Sequence, residues 1–97
     1  TIKLPIYCIW GMQKNKVPDE FLKEFNSIFK KIITVKIPNE PNSCSAKQLM
    51  NIANDQNYNV ETAKGIKQAL QTLSSKEKKL IVVMGSLYWV GSVLKEN

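Results

Sequence analysis

Few residues in this chain have the chemistry for a site, and those that stand out are glycines and a serine at the ends of apolar runs. Gly85 and Ser86 follow "LIVVM" and precede "LYWVGSVL", in which Leu87, Val90 and Leu94 recur at helical spacing. A strand that ends in Gly-Ser and turns into a helix leaves backbone N–H groups free at the helix start. Together with the helix dipole, these can hold a phosphate or a carboxylate. The same pair has a plainer use, the glycine making the turn and the serine capping the helix. Gly11 ends a second apolar run, "LPIYCIW". Glycine at such a position permits a sharp turn and the close approach of a ligand or of another backbone segment.

Other chemistries are excluded by what the chain lacks. It has no histidine, so neither a Ser-His nor a Cys-His nucleophile pair can form, and the commonest zinc ligand is missing. Two cysteines make no disulfide framework: Cys8 sits in an apolar run and should pack as a small hydrophobe, while Cys44 lies in a polar loop. Free thiols fit a reducing cytoplasm. "GSLYWVGS" is not a phosphate-binding P-loop, because Ser92 stands where that motif needs lysine. Asp19, Glu20 and Glu24 belong to a solvated helix face, and Glu40 and Asp55 are isolated on loops. No carboxylate pair is placed for acid–base catalysis or for a metal.

The net charge of +6 raises the question of nucleic acid, yet all 14 basic residues are lysine and they are scattered. Arginine, the residue suited to bidentate contacts with guanine and phosphate, is absent. Solvated surface lysines account for the charge, and no nucleic-acid partner is expected. No apolar run approaches the ~20 residues that span a bilayer, and no signal-peptide pattern opens the chain. Cytoplasmic localisation is therefore expected, with no membrane partner.

The elements that must position these residues alternate. "LPIYCIW" reads as a strand covered on both faces. Pro18 suits a first helical position, followed by acidic Asp19 and Glu20; Phe21, Leu22, Phe25, Ile28 and Phe29 then share one helical face, with Lys30 and Lys31 at the carbonyl end. "IITVKI", residues 32–37, reads as the second strand and stops at Pro38. Ser45 and Gln48 form a capping box ahead of Ala46, Leu49, Met50 and Ala53. "YNVETA", residues 58–63, is a short peripheral strand, and Ile66, Ala69, Leu70 and Leu73 mark a third helix that ends at Ser74 and Ser75. "LIVVM" reads as the most deeply buried strand, and the segment after Gly85 as a final helix.

The order β-α-β-α-β-α-β-α predicts a single α/β domain over residues 1–97. Its expected form is Rossmann-like, an open, mostly parallel sheet with helices on both faces. In such a sheet ligands bind beyond the carboxyl ends of the strands, so the turns after Trp10 and Met84 should share a rim.

Two stretches resemble a known family. "GSLYWVG", residues 85–91, is similar to the closing signature of folylpolyglutamate synthases and dihydrofolate synthases, where a strand ends in Gly-Ser and enters the last helix. "GMQKNK", residues 11–16, resembles the Gly-Met-x-x-x-Lys segment after an earlier strand of the same domain, and "SAKQL", residues 45–49, fits an intermediate helix. The resemblance covers nearly the whole chain. It implies the C-terminal domain of a Mur-ligase-superfamily enzyme that uses ATP and Mg2+ to join L-glutamate to dihydropteroate or folate by way of an acyl phosphate. A central ATP-binding domain of the same polypeptide would carry the P-loop and metal ligands, and this domain would close over ATP and glutamate. Closure of that kind keeps water from the acyl phosphate.

The resemblance also makes Lys16 a candidate for the edge facing the central domain, near phosphate, or else an exposed turn lysine. Gly11, Lys16, Gly85 and Ser86 are thus the nucleotide-binding or domain-interface candidates, with no catalytic or metal-binding residue expected in the chain. Val17 stands where the family carries Asp, so a polar helix cap is lost. The family's first strand, with its Asp-Gly-Ala-His-Asn-type motif, is missing, and the chain begins at Thr1 on an apolar run. It is therefore expected to be a piece of a longer protein, the larger part of such a domain without its first strand and helix, and inactive alone. The alternatives are a C-terminal domain of a peptidoglycan-precursor ligase, a non-catalytic α/β binding module, and an inactive gene remnant.

Overall fold

Strand β1, Ile6–Trp10, lies at the middle of a five-stranded sheet, and its sequence explains the position. In a computed structural model that describes residues 4–75, 77–84 and 89–95, alternate β1 side chains enter two separate cores. Cys8 and Trp10 point into one core; Tyr7 and Ile9 point into the other. A strand covered on both faces must be apolar without interruption, as "IYCIW" is.

A single 3-10 turn, Lys14–Lys16, leads from β1 to α1, Pro18–Lys23. Strand β2 is Lys31–Thr34, α2 is Ala46–Asp55, β3 is Val60–Thr62, α3 is Ile66–Leu73, β4 is Lys79–Met84 and β5 is Trp89–Lys95. The strand order is β3-β2-β1-β4-β5. The first four strands are mutually parallel, with Trp10 opposite both Thr34 and Met84. The chain winds outward from β1 through β2 to β3, then crosses back to β4 on the other side of β1. Winding therefore reverses between β1 and β4, which is where an open α/β sheet forms a crevice.

The two cores follow from this path. Leu22 of α1 and Leu49 and Ala53 of α2 pack on Cys8, Trp10, Ile32 and Met84. On the opposite face, Ala69 and Leu73 of α3 pack on Tyr7, Ile9, Ile33, Ile81 and Val83. Helices on both faces of a mostly parallel sheet are the architecture expected from the sequence.

The caps follow local rules. Ser45 accepts from the Gln48 N–H at 3.1 Å while the Gln48 side chain accepts from the Ser45 N–H at 2.8 Å, the reciprocal box expected of these two residues. Beneath it, the buried Thr34 hydroxyl donates to the Ala46 carbonyl at 2.7 Å and ties α2 to the end of β2. At the other end of the sheet, buried Lys79 donates to the Leu73 carbonyl and the Ser75 hydroxyl, both at 2.5 Å, and lies 5.1 Å from the Tyr7 ring centroid. Its cation closes the carbonyl end of α3, where the dipole favours it.

Several expectations need correction. The first helix stops at Lys23 rather than running to Lys31, because Asn26 and Ser27 adopt left-handed backbone and break it. Phe25 and Phe29 still reach the core from the turn, in a run of ring contacts from Trp10 through Phe21, Phe25 and Phe29 to Tyr58. Ile28 does not; it is half exposed. The second strand ends at Thr34, short of Ile37. β1 is the central, most buried strand, not β4.

The final helix is replaced by β5, antiparallel to β4, with Leu80 opposite Leu94 and Met84 opposite Trp89. Apolar residues at 87, 90 and 94 fit a helix by spacing, but Trp89, Val90 and Val93 favour strand and Gly91 disfavours a helix interior. Pairing also satisfies the outer edge of β4. Cys44, expected in a polar loop, is in that loop but buried. Among the described residues, no helix is long and apolar enough to cross a membrane.

Candidate functional site

The rim that could meet a ligand is formed by the carboxyl ends of β1, β2 and β4 and the segments that leave them. Trp10 and Met84 lie side by side in register, so the turns after them do share one rim. Gly11 is the link. Its N–H donates to the Met84 carbonyl at 3.0 Å, and the Val35 N–H donates to the Trp10 carbonyl at 2.9 Å. A Cβ on Gly11 would lie 3.2 Å from the Val35 carbonyl oxygen and 3.3 Å from both Ile37 Cγ1 and Val35 Cγ2. The glycine is buried, and the close approach it permits is that of the segment after β2.

Beyond Gly11 the chain is clasped to the loop that precedes α2. Gln13 bridges to Ser43, the Lys14 N–H donates to the Asn42 carbonyl at 2.9 Å, and the Cys44 N–H donates to the Met12 carbonyl at 2.8 Å. Ser43 accepts from the Ile37 N–H at 2.9 Å and donates to the Cys44 carbonyl at 2.8 Å. On the surface, the Asn42 side chain donates to the Asn15 side chain at 3.2 Å. Sequence reasoning missed Gln13, Asn15, Asn42 and Ser43. The "NSCS" stretch carried the signal, since short polar side chains in a loop between strand and helix commonly bond backbone.

Lys16 lies at the end of the 3-10 turn, exposed, with exposed Lys14 beside it on the same turn. Neither lysine has an ion-pair partner among the described residues. The turn therefore presents positive charge next to the point where winding reverses. Burial pushes the Cys44 thiol above its usual range, and the Lys14 cation pulls it partly back. Val17, between Lys16 and α1, has no side-chain capping bond, as expected for a residue standing in place of a carboxylate.

Gly85 and Ser86 lie outside the described residues. The helix that Ser86 was expected to cap is a strand from Trp89 onward, which removes the helix-dipole argument for an anion there. The structure thus brings Gly11 against Met84, the residue before Gly85, and keeps Lys16 on the surface of the adjoining turn. Among the described residues, no three of Cys, Asp and Glu converge as a metal shell. The exposed ammonium groups suit an anion such as a phosphate; they do not suit a divalent cation.

Comparison with known proteins places the sequence in a family. No curated protein and no solved structure matches the chain. The family described as dihydrofolate synthetase, C-terminal domain, matches residues 8–96, from β1 past the end of β5. This agrees with the resemblance carried by "GMQKNK" and "GSLYWVG", and the chain belongs to the dihydrofolate synthetase C-terminal domain family.

Proposed function

We propose that this chain is the closing domain of an ATP-dependent ligase that joins L-glutamate to the carboxylate of dihydropteroate or a folate. Membership of the dihydrofolate synthetase family over residues 8–96 is the observation that carries the reading. The shared rim of β1 and β4 supports it, because ligands of open α/β sheets sit beyond the carboxyl ends where winding reverses.

In this reading a central domain of the same polypeptide binds ATP and Mg2+. Bound there, ATP supplies the phosphoryl group that activates the substrate carboxylate. The metal ligands, in the same reading, belong to the central domain. Lys16, with Lys14 beside it, presents fixed positive charge toward phosphate oxygens when the domains meet. Gly11 ties the end of β1 to Met84 at the rim, and Gly85 and Ser86, next in sequence after Met84, are further candidates for contact with the nucleotide or the central domain. Closure expels water, which strengthens each of these contacts and shields an activated carboxylate from hydrolysis.

The experiment compares the full polypeptide with the isolated chain in assays of glutamate-dependent ADP release. The full polypeptide should turn over dihydropteroate or folate and refuse muramyl peptides, and the isolated chain should be inactive. Turnover by the chain alone, or acceptance of muramyl peptides instead, overturns the reading.

A further inference from the structure

Val17 joins the Lys14–Lys16 turn to α1 with φ 49° and ψ 68°, in the left-handed region. Among the described residues, the other non-glycine residues with positive φ are Asn26, Ser27, Asn39 and Asn57, short polar types that tolerate the left-handed region. A β-branched residue there crowds its own carbonyl and is an outlier. Nothing local demands it. The residue before a proline is driven toward extended backbone, and extended backbone is also the usual conformation of a helix cap. Ser45, at φ −72° and ψ 157°, and Gly65, at φ −177° and ψ −178°, cap α2 and α3 in that ordinary way. The Val17 side chain gains nothing in return: it is 49% exposed and caps nothing.

The cause lies in what flanks it. On one side, the turn is held to the loop before α2 through Lys14 to Asn42, Asn42 to Asn15, and Gln13 to Ser43. On the other, α1 is fixed by fully buried Leu22, by Phe21 stacked on Trp10 at 6.4 Å, and by the Gln56 side chain donating to the Asp19 carbonyl at 2.8 Å. Two anchored pieces meet at one residue. Strained backbone persists where its surroundings over-determine it in this way.

We propose that Val17 is a strained joint that positions the Lys14–Lys16 turn on the rim, and that loosening the Asn15–Asn42 clasp lets the turn swing as Val17 relaxes to extended backbone. The joint itself is independent of the activity. Its role as a positioning residue for Lys16 rests on the ligase reading given above.

The test uses Val17→Asn, which tolerates left-handed backbone, Asn15→Ala, which opens the side-chain clasp, and the double variant, all in the full chain. Val17→Asn should raise Tm by roughly 4–8 °C, the shift expected when about 1 kcal/mol of strain is relieved in a domain of this size. Val17→Thr, which can also cap α1 but keeps the β-branch, should raise it much less. Asn15→Ala should speed amide exchange at Lys14 and Lys16 about tenfold when Val17 is kept, and much less in the Val17→Asn background. An unchanged or lower Tm for Val17→Asn, or equal acceleration in both backgrounds, overturns the joint. In the full-length ligase, Asn15→Ala should raise the KM for ATP several-fold at unchanged kcat, and adding Val17→Asn should restore it. Exchange coupling without any movement of KM leaves the joint standing and removes Lys16 from the nucleotide contact.

Discussion

The N–H of Gly11 donates to the carbonyl oxygen of Met84 across 3.0 Å, and this bond makes the ends of β1 and β4 one continuous edge. The two residues are far apart in sequence, yet Gly11 follows one apolar strand and Met84 ends another, and the parallel register places Trp10 opposite Met84. The rim is therefore built into the sheet itself.

Gly11→Ala should destabilise the domain, because the new methyl group meets a backbone carbonyl at 3.2 Å with Val35 and Ile37 closing the other sides. Overpacking of this kind costs about 1–3 kcal/mol. Denaturant titration should show a lower midpoint with an unchanged slope, and Gly11→Val a larger loss.

Ser45→Ala removes the acceptor for the Gln48 N–H and should cost about 1 kcal/mol, whereas Ser45→Gly should cost only a few tenths. Thermal unfolding of the two variants side by side checks this. Equal losses would mean that the serine acts by something other than capping.

Lys79→Met keeps an apolar stem over Tyr7 but leaves the Leu73 carbonyl without the donor it has now. A buried acceptor left unpaired costs about 1–3 kcal/mol. Calorimetry should show that loss, and exchange at the carbonyl end of α3 should accelerate.

Stability should fall at alkaline pH. Burial raises the Cys8 and Cys44 thiols and the Tyr58 phenol above their usual values. Each group keeps its proton in the folded state at a pH where the unfolded chain has begun to lose it. The unfolded state then binds fewer protons, so unfolding free energy decreases as pH rises above roughly 8.5 for the thiols and roughly 10 for the phenol. Denaturant midpoints measured between about pH 8 and pH 10.5 should decline, and Cys8→Ala with Cys44→Ala should flatten the first part of that decline.

Much of this layout was readable from residue pattern. The uninterrupted apolar "IYCIW" marked a strand buried on both faces, and Ser45 with Gln48 fixed the start of α2. What escaped depended on residues distant in sequence. Nothing near Asn26 and Ser27 outweighs the apolar spacing of Phe25, Ile28 and Phe29, so the early end of α1 was invisible. The last segment is short enough to fit either period, and pairing with β4 decided for strand. Cys44 is buried because its N–H is drawn to the Met12 carbonyl, a contact the polar loop composition conceals. At the candidate site, glycine after β1 pointed to Gly11, but the Gln13, Asn42 and Ser43 clasp exists only once two loops meet.

Amide exchange of the full polypeptide with and without ATP, Mg2+ and glutamate tests the central claim most directly. The account predicts new protection at Gly11–Lys16 and at the end of β4, with no change at the opposite edge of the sheet, where Lys30 pairs with Glu77, the Tyr7 hydroxyl donates to Glu77 and Lys79 begins β4. Protection appearing at that opposite edge, with the Gly11–Lys16 segment unaffected, would contradict it.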